Sequence, residues 1–218
     1  MEQCNTFRGL TPTVGTLIEA KKHVDLPMVT MIRPRTGGFL YDEYEVEQMY
    51  FDAVQLLENG ADGIVFGFLD IDRNVDVERT KRFADLAHQY GKEAIYHRAF
   101  DNVRDPYEAI EALIECGIER ILTSGLQANA IDGVPLLKDL HEKYGDKIAL
   151  LPGGGVVAAN IKEILDKTGI PEIHGSFKEW ISDPTSSRYS DIGKKREPDY
   201  FDVSREELEK AVQRAHGE

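Results

Sequence analysis

The feature that most constrains this chain is an alternation. Short apolar runs begin near residues 28, 62, 93, 120, 148 and 172, and all but the last are followed by a segment whose apolar positions have helical spacing. A strand-then-helix repeat at this period specifies parallel βαβ units, because a parallel neighbour is reached only through a crossover connection. Runs such as Met28-Val29-Thr30-Met31-Ile32 and Ile148-Ala149-Leu150-Leu151 are apolar with little alternation, which suits a sheet covered on both faces. Helices are expected at 14–23, from Asp42 to a stop at Gly60, at 76–90, at 106–116, through Leu136, Leu137 and Leu140, and at 160–168. Residues 182–199 are polar and read as an exposed loop. Ser204-Arg205-Glu206-Glu207 is a capping-box pattern that opens a terminal helix, 204–216.

A doubly wound sheet and a (β/α)₈ barrel both fit this alternation. The polar strand endings favour the second. Arg33 and Arg35, then His97, Arg98 and Asp101, then Thr123 and Ser124, then Gly153, Gly154 and Gly155, then His174 and Ser176 all fall at carboxyl ends of expected strands. Chemistry converging from many strand ends is the habit of barrels. Residues 1–218 therefore read as a single α/β domain with a TIM-barrel-like fold. Six strands and a stub at 2–4 fall short of eight, so the barrel is expected to be incomplete at the N-terminus.

Composition narrows the partners. Of 218 residues, 41% are hydrophobic, enough for a sizeable core, and the formal charge of −13 argues against nucleic acid or an acidic membrane surface. No stretch approaches the roughly 20 apolar residues of a membrane span. The start, Met-Glu-Gln-Cys-Asn, has no secretory pattern. Cys4 and Cys116 are far apart and lack a zinc spacing, so a reducing cytoplasm is the expected location.

Three strand ends carry candidate chemistry, and each has a plainer alternative. Arg33 and Arg35, two apart around Pro34, would face one way in extended backbone and clamp a carboxylate or phosphate; otherwise they are solvated loop arginines. His97 could be an acid, a base or a metal ligand, with Arg98 binding an anion and Asp101 orienting either; otherwise His97 is a satisfied core histidine and Asp101 a turn cap. Pro152-Gly153-Gly154-Gly155 could bring amides to an oxyanion ahead of a helix N-terminus, with His174 and Ser176 completing the pocket; otherwise it is a tight turn. Asp70, Asp72 and Asp76 lack the glycine and glutamate of a calcium loop and read as a turn and a helix cap. Cys116 reads as a small packed hydrophobe, and Cys4 as a soft thiolate able to bind Cu(I).

Taken together, Gly9-Leu10-Thr11-Pro12, Met31 to Arg35, Phe39 to Tyr41, Phe68 to Asp76, His-Arg-Ala-Phe-Asp at 97–101, Leu122 to Gly125, Pro152 to Val156 and Glu172 to Ser176 resemble the CutC copper homeostasis family over essentially the whole chain. The resemblance implies a TIM-barrel-like cytosolic protein, usually oligomeric, linked to copper tolerance and to Cu(I) binding, with no reaction firmly attached. Members of that family usually begin with a strand and helix carrying a cysteine proposed for copper. Cys4 matches only the second family cysteine, so a two-cysteine copper site is not expected here. Gly38 stands where the family usually has Asp or Asn, and Arg73 where it usually has glycine. Two functions follow as expectations: copper homeostasis with Cu(I) at Cys4, or an enzyme for a small anionic or phosphorylated metabolite using Arg33, Arg35, His97 and the 153–155 loop.

Overall fold

The computed structural model describes residues 9–184 and 200–216. Most helices begin where the sequence supplies a side-chain cap, those at Val134–Tyr144 and Ile161–Thr168 being the exceptions among the described residues. Thr13 accepts from the Thr16 amide at the start of α1 (Val14–His23). At α2 (Glu43–Glu58), Asp42 and Glu45 form a reciprocal capping box, and Val46, Met49, Ala53, Leu56 and Leu57 form the buried face. Asp76 caps α3 (Val77–Gln89), and Asp105 caps α4 (Pro106–Glu115), which has proline in its first turn. The set continues with α5 (Val134–Tyr144), with α6 (Ile161–Thr168), which stops at Gly169 with φ 73°, and with α7 (Arg205–Ala215), capped by Ser204. The acidic 70–76 stretch is a turn closed by Asp70, whose Oδ1 accepts from the amides of Asp72 and Asn74.

The strands β1 (Val29–Met31), β2 (Gly63–Phe66), β3 (Glu93–Tyr96), β4 (Arg120–Thr123) and β5 (Ala149–Pro152) form one parallel sheet in that order. Every residue of β2 is buried. Phe66 of β2 packs with Phe68 and Phe83, all three fully buried, at centroid distances of 4.9–5.9 Å. Gly63 is required by this packing, since a Cβ there would sit 2.8 Å from the Glu93 carbonyl oxygen of β3.

One expectation is corrected, and one pair of strands was not expected. The apolar run at 172–176 is not a strand. It makes a single parallel bridge, His174 to Gly153, with the His174 amide donating to the Pro152 carbonyl at 2.9 Å. Its chemistry explains the early exit: Ile173 alone is strongly apolar, Gly175 follows, and Phe177 sits at φ 36° and turns the chain away. The chain then enters an exposed antiparallel pair absent from the sequence reading, β6 (Lys178–Ile181) with β7 (Tyr200–Val203). The proposed strand stub at 2–4 and most of the expected 182–199 loop lie outside the described residues. Among the described residues, the sheet has the TIM-barrel-like order but is not closed into a barrel by hydrogen bonds.

Candidate functional site

A cavity of about 1020 Å³ opens at the carboxyl ends of the strands. Its walls include Arg33, His97, Arg98, Gly154, Gly155, His174 and Ser176, so most of the polar strand endings share one space.

His97 follows β3 and caps the 3₁₀ turn Arg98–Asn102, its Nδ1 accepting from the Ala99 amide at 3.1 Å. That bond fixes the neutral tautomer with its proton on Nε2. Nε2 is buried and has no partner among the described residues. Burial first, and the Arg33 charge second, push the ring pKa down to about 3, so the imidazole is neutral at physiological pH. The Phe39 ring lies 4.8 Å away, and Gly67 forms the floor, where a Cβ would come within 2.6 Å of the imidazole. His97 is therefore built to present an N–H, and it is a poor base.

The two arginines part company. Arg33 lies over Phe39 at 5.0 Å, donates through Nη2 to the Gly37 carbonyl at 2.7 Å, and has its charge beside the buried Tyr41 hydroxyl; its enclosed Nε makes no hydrogen bond of good geometry among the described residues. Arg35 does not line the cavity. It forms a two-pronged ion pair with Glu45 and donates to the Leu40 carbonyl at 2.9 Å, with its guanidinium 4.8 Å from the Tyr41 ring. The extended backbone needed to aim both the same way does not persist past Met31, because the chain bends at 34–37. Glu45 is itself part of the α2 capping box, so Arg35 ties the loop to that helix.

Asp101 is a junction. Its Oδ1 accepts from Thr123 Oγ1 at 2.6 Å and from the Ser124 amide at 2.9 Å; its Oδ2 accepts from Arg98 Nε at 2.6 Å and from Ser124 Oγ at 2.9 Å. Arg98 Nη2 also donates to Ser124 Oγ at 2.7 Å. The Ser124 hydroxyl is fully enclosed, lies between Asp101 and the Gln127 carbonyl, and is not on the cavity wall. Thr123, which the sequence reading left without a role, shares the carboxylate. The junction holds Arg98 against Gly154, where a Cβ would sit 3.0 Å from the guanidinium carbon.

In the glycine loop, Gly153 pairs with β4 and His174, while Gly154 and Gly155 adopt φ of 111° and 64°, open to glycine without strain. The amides of Gly154, Gly155 and Val156 reach no acceptor among the described residues. Asn160 braces the loop, donating to the Gly155 carbonyl and accepting from the Val157 amide, both at 2.9 Å. The imidazole of His174 keeps contact with the cavity mouth, and its pKa is lowered by crowding of the wall and then by Arg98. The sequence reading missed Phe177 and Glu207 as wall residues. Glu207 was legible only as a capping residue, because its approach to the cavity depends on where α7 docks.

Among the described residues no group of three or more His, Cys, Asp or Glu side chains could hold a metal ion. Cys116 is buried, its thiol donates to the Val77 carbonyl, and it is away from the cavity. Cys4 lies outside the described residues. Also among the described residues, no helix is long and apolar enough to cross a membrane.

Comparison with known proteins gives the chain a lineage. A CutC family protein of Treponema denticola is 41% identical over 166 residues, covering 76% of this chain and 67% of the relative. A human protein named copper homeostasis protein cutC homolog is 41% identical over 170 residues, covering 78% of this chain and 62% of its own length. The crystal structure of a CutC from Streptococcus agalactiae superposes with a TM-score of 0.73 at 30% identity, covering 77% of this chain and 82% of that one. Phosphoribosylanthranilate isomerase from Pyrococcus furiosus shares the fold alone, with a TM-score of 0.53 at 13% identity over 95% of this chain and 82% of that chain. The CutC family pattern itself matches residues 1–179, and the chain belongs to the CutC family.

Proposed function

We propose that this chain serves copper homeostasis as a cytosolic, homo-oligomeric CutC protein, and that its working site is the strand-end cavity, which binds a small anionic metabolite. The copper role is supported by the names of its relatives. The anion site is supported by one observation above the others: two enclosed N–H groups, His97 Nε2 and Arg33 Nε, belong to residues that line the same cavity and have no hydrogen-bond partner among the described residues. A buried donor left unpaired costs about 1–3 kcal/mol, and a ligand acceptor removes that cost. In an enzymatic version of this reading, Arg33 holds the anion and the Gly154 and Gly155 amides receive an oxyanion. His97 polarises a carbonyl or phosphoryl oxygen as a neutral donor, in place of the proton transfer expected from the sequence. Arg98 and Asp101 act in it as one unit, while Arg35 and Ser124 hold the loops that carry the site.

The test is a thermal-shift screen of phosphorylated and carboxylated metabolites on the full chain. A stabilising anion is expected, with its effect weakened in Arg33→Met where the anion carries a carboxylate. Failure of every anion to stabilise at millimolar concentration overturns the reading. The second reading, Cu(I) held at Cys4, is favoured by the relatives' names alone. Competitive Cu(I) titration under reducing conditions decides it, and equal affinity in Cys4→Ala would end it.

A further inference from the structure

The unpaired donors on the cavity wall fall into two sets of different chemistry. One is a pair of side-chain donors, His97 Nε2 and Arg33 Nε, both buried. The Arg33 charge acts on the His97 ring, and two N–H groups from such neighbouring wall residues can serve the two oxygens of a carboxylate. The other set is the run of backbone amides at Gly154, Gly155 and Val156, with the Arg98 guanidinium against it. With Gly154 and Gly155 at positive φ, these three successive amides stand ahead of α6 without acceptors among the described residues, and donors of this kind suit a phosphate. Arg98 keeps one terminal nitrogen, Nη1, without an acceptor among the described residues, while Asp101 and Ser124 take the other side of its guanidinium. The wall also carries the apolar side chains of Met31, Leu122 and Val156. A single phosphate or carboxylate would leave most of the 1020 Å³ to water.

We infer that the ligand is two-ended: a carboxylate received by His97 and Arg33, and a phosphate received by the 154–156 amides and Arg98, joined by an uncharged chain. This rests on the anion-site reading and goes further, since that reading needs only one charged group. The two ends share the end of β3, which supplies His97 to the carboxylate and Arg98 to the phosphate, and draw otherwise on different strands, β1 for the carboxylate and β5 for the phosphate. Affinity for the whole ligand must therefore exceed that for either end, because the second end binds at high effective concentration once the first is held.

The experiment is calorimetric titration of the full chain with three probes of rising length, 2-phosphoglycolate, 3-phosphoglycerate and 6-phosphogluconate, against inorganic phosphate and acetate. At least one two-ended probe is expected to bind tenfold or more tighter than phosphate. Arg33→Met should bring that probe down to the phosphate value and leave phosphate itself unchanged. Gly154→Ala should remove phosphate binding. If Arg33→Met fails to fold by circular dichroism, Arg33→Lys, which keeps the charge without the Nε–H, is expected to lose threefold or more for the same probe. Phosphate binding with no probe more than twofold tighter leaves the anion site standing and overturns the two-ended ligand. Binding of neither phosphate nor any probe overturns both.

Discussion

Asp101→Asn is the sharpest test of how the site is held. The side chain is nearly buried, and the substitution keeps its volume while exchanging one oxygen acceptor for an NH₂ donor. Neither orientation of the new amide can satisfy its surroundings. At the Oδ2 position the NH₂ meets Arg98 Nε–H, 2.6 Å away in the parent. At the Oδ1 position it meets the Ser124 and Leu126 amides, 2.9 and 3.3 Å away. The Thr123 and Ser124 hydroxyls can rotate to accept, but amide and guanidinium N–H groups cannot. A lost charge-assisted bond costs about 1.5–3 kcal/mol and a stranded donor about 1–3 kcal/mol. Because the Arg98 side chain is 40% exposed and can turn partly to water, we take the lower half of that sum, about 3 kcal/mol. For a chain of this size that lowers Tm by about 6–12 °C. Urea denaturation with an unchanged m-value, together with calorimetry, measures it. Asp85→Asn, which breaks an exposed pair with Lys81, is the control and should cost less than about 0.5 kcal/mol. A loss below about 1 kcal/mol in Asp101→Asn would refute the junction as the support of the site.

Three further outcomes are expected. Arg73, at φ 65° with a main chain held by Asp70 and Arg104, is strained where glycine would not be, so Arg73→Gly should stabilise by about 0.5–1 kcal/mol in urea titration. His97 is held near pKa 3 against 6.5 unfolded, so between those values the unfolded chain takes up a proton that the folded chain refuses. Its contribution is complete above pH 6.5 and falls by about 1.4 kcal/mol per pH unit below it; His97→Gln should flatten the stability profile by that slope near pH 5, with His174 unchanged in both proteins. Gly67→Ala would drive a methyl into the His97 ring, so a loss of about 1–3 kcal/mol is expected, with weaker binding of any stabilising anion in the thermal-shift assay.

What could be read from the sequence was what short-range chemistry decides. Thr13, Asp42 and Asp76 announced their helices because a cap needs only its own next turn, and α1 occupies the expected 14–23. The buried strands β2 to β5 were legible from unbroken apolar runs. Long-range partners were not. The pair β6–β7 escaped notice because Lys178-Glu179-Trp180-Ile181 is exposed and charged, and its partner strand starts beyond a polar stretch. Arg35 was placed beside Arg33 by their i, i+2 spacing, but its side chain is claimed by Glu45, ten residues on. His97 was recognisable as a candidate, yet its neutrality follows from how deeply β3 is buried and from Arg33, which no local pattern records.

The order of the sheet has a consequence for how the molecule is made. Each strand from β1 to β5 pairs with the next one in the chain, so the loops that must close span roughly 30 residues and never the whole domain. Assembly can therefore follow synthesis, each emerging strand–helix unit docking on an edge already in place. The Asp101 junction can lock once β4 has joined β3. The wall contributed by Phe177 and Glu207 comes from segments that follow β5 in the chain. A nascent chain should thus become protease-resistant through β1 to β4 well before it can hold a ligand.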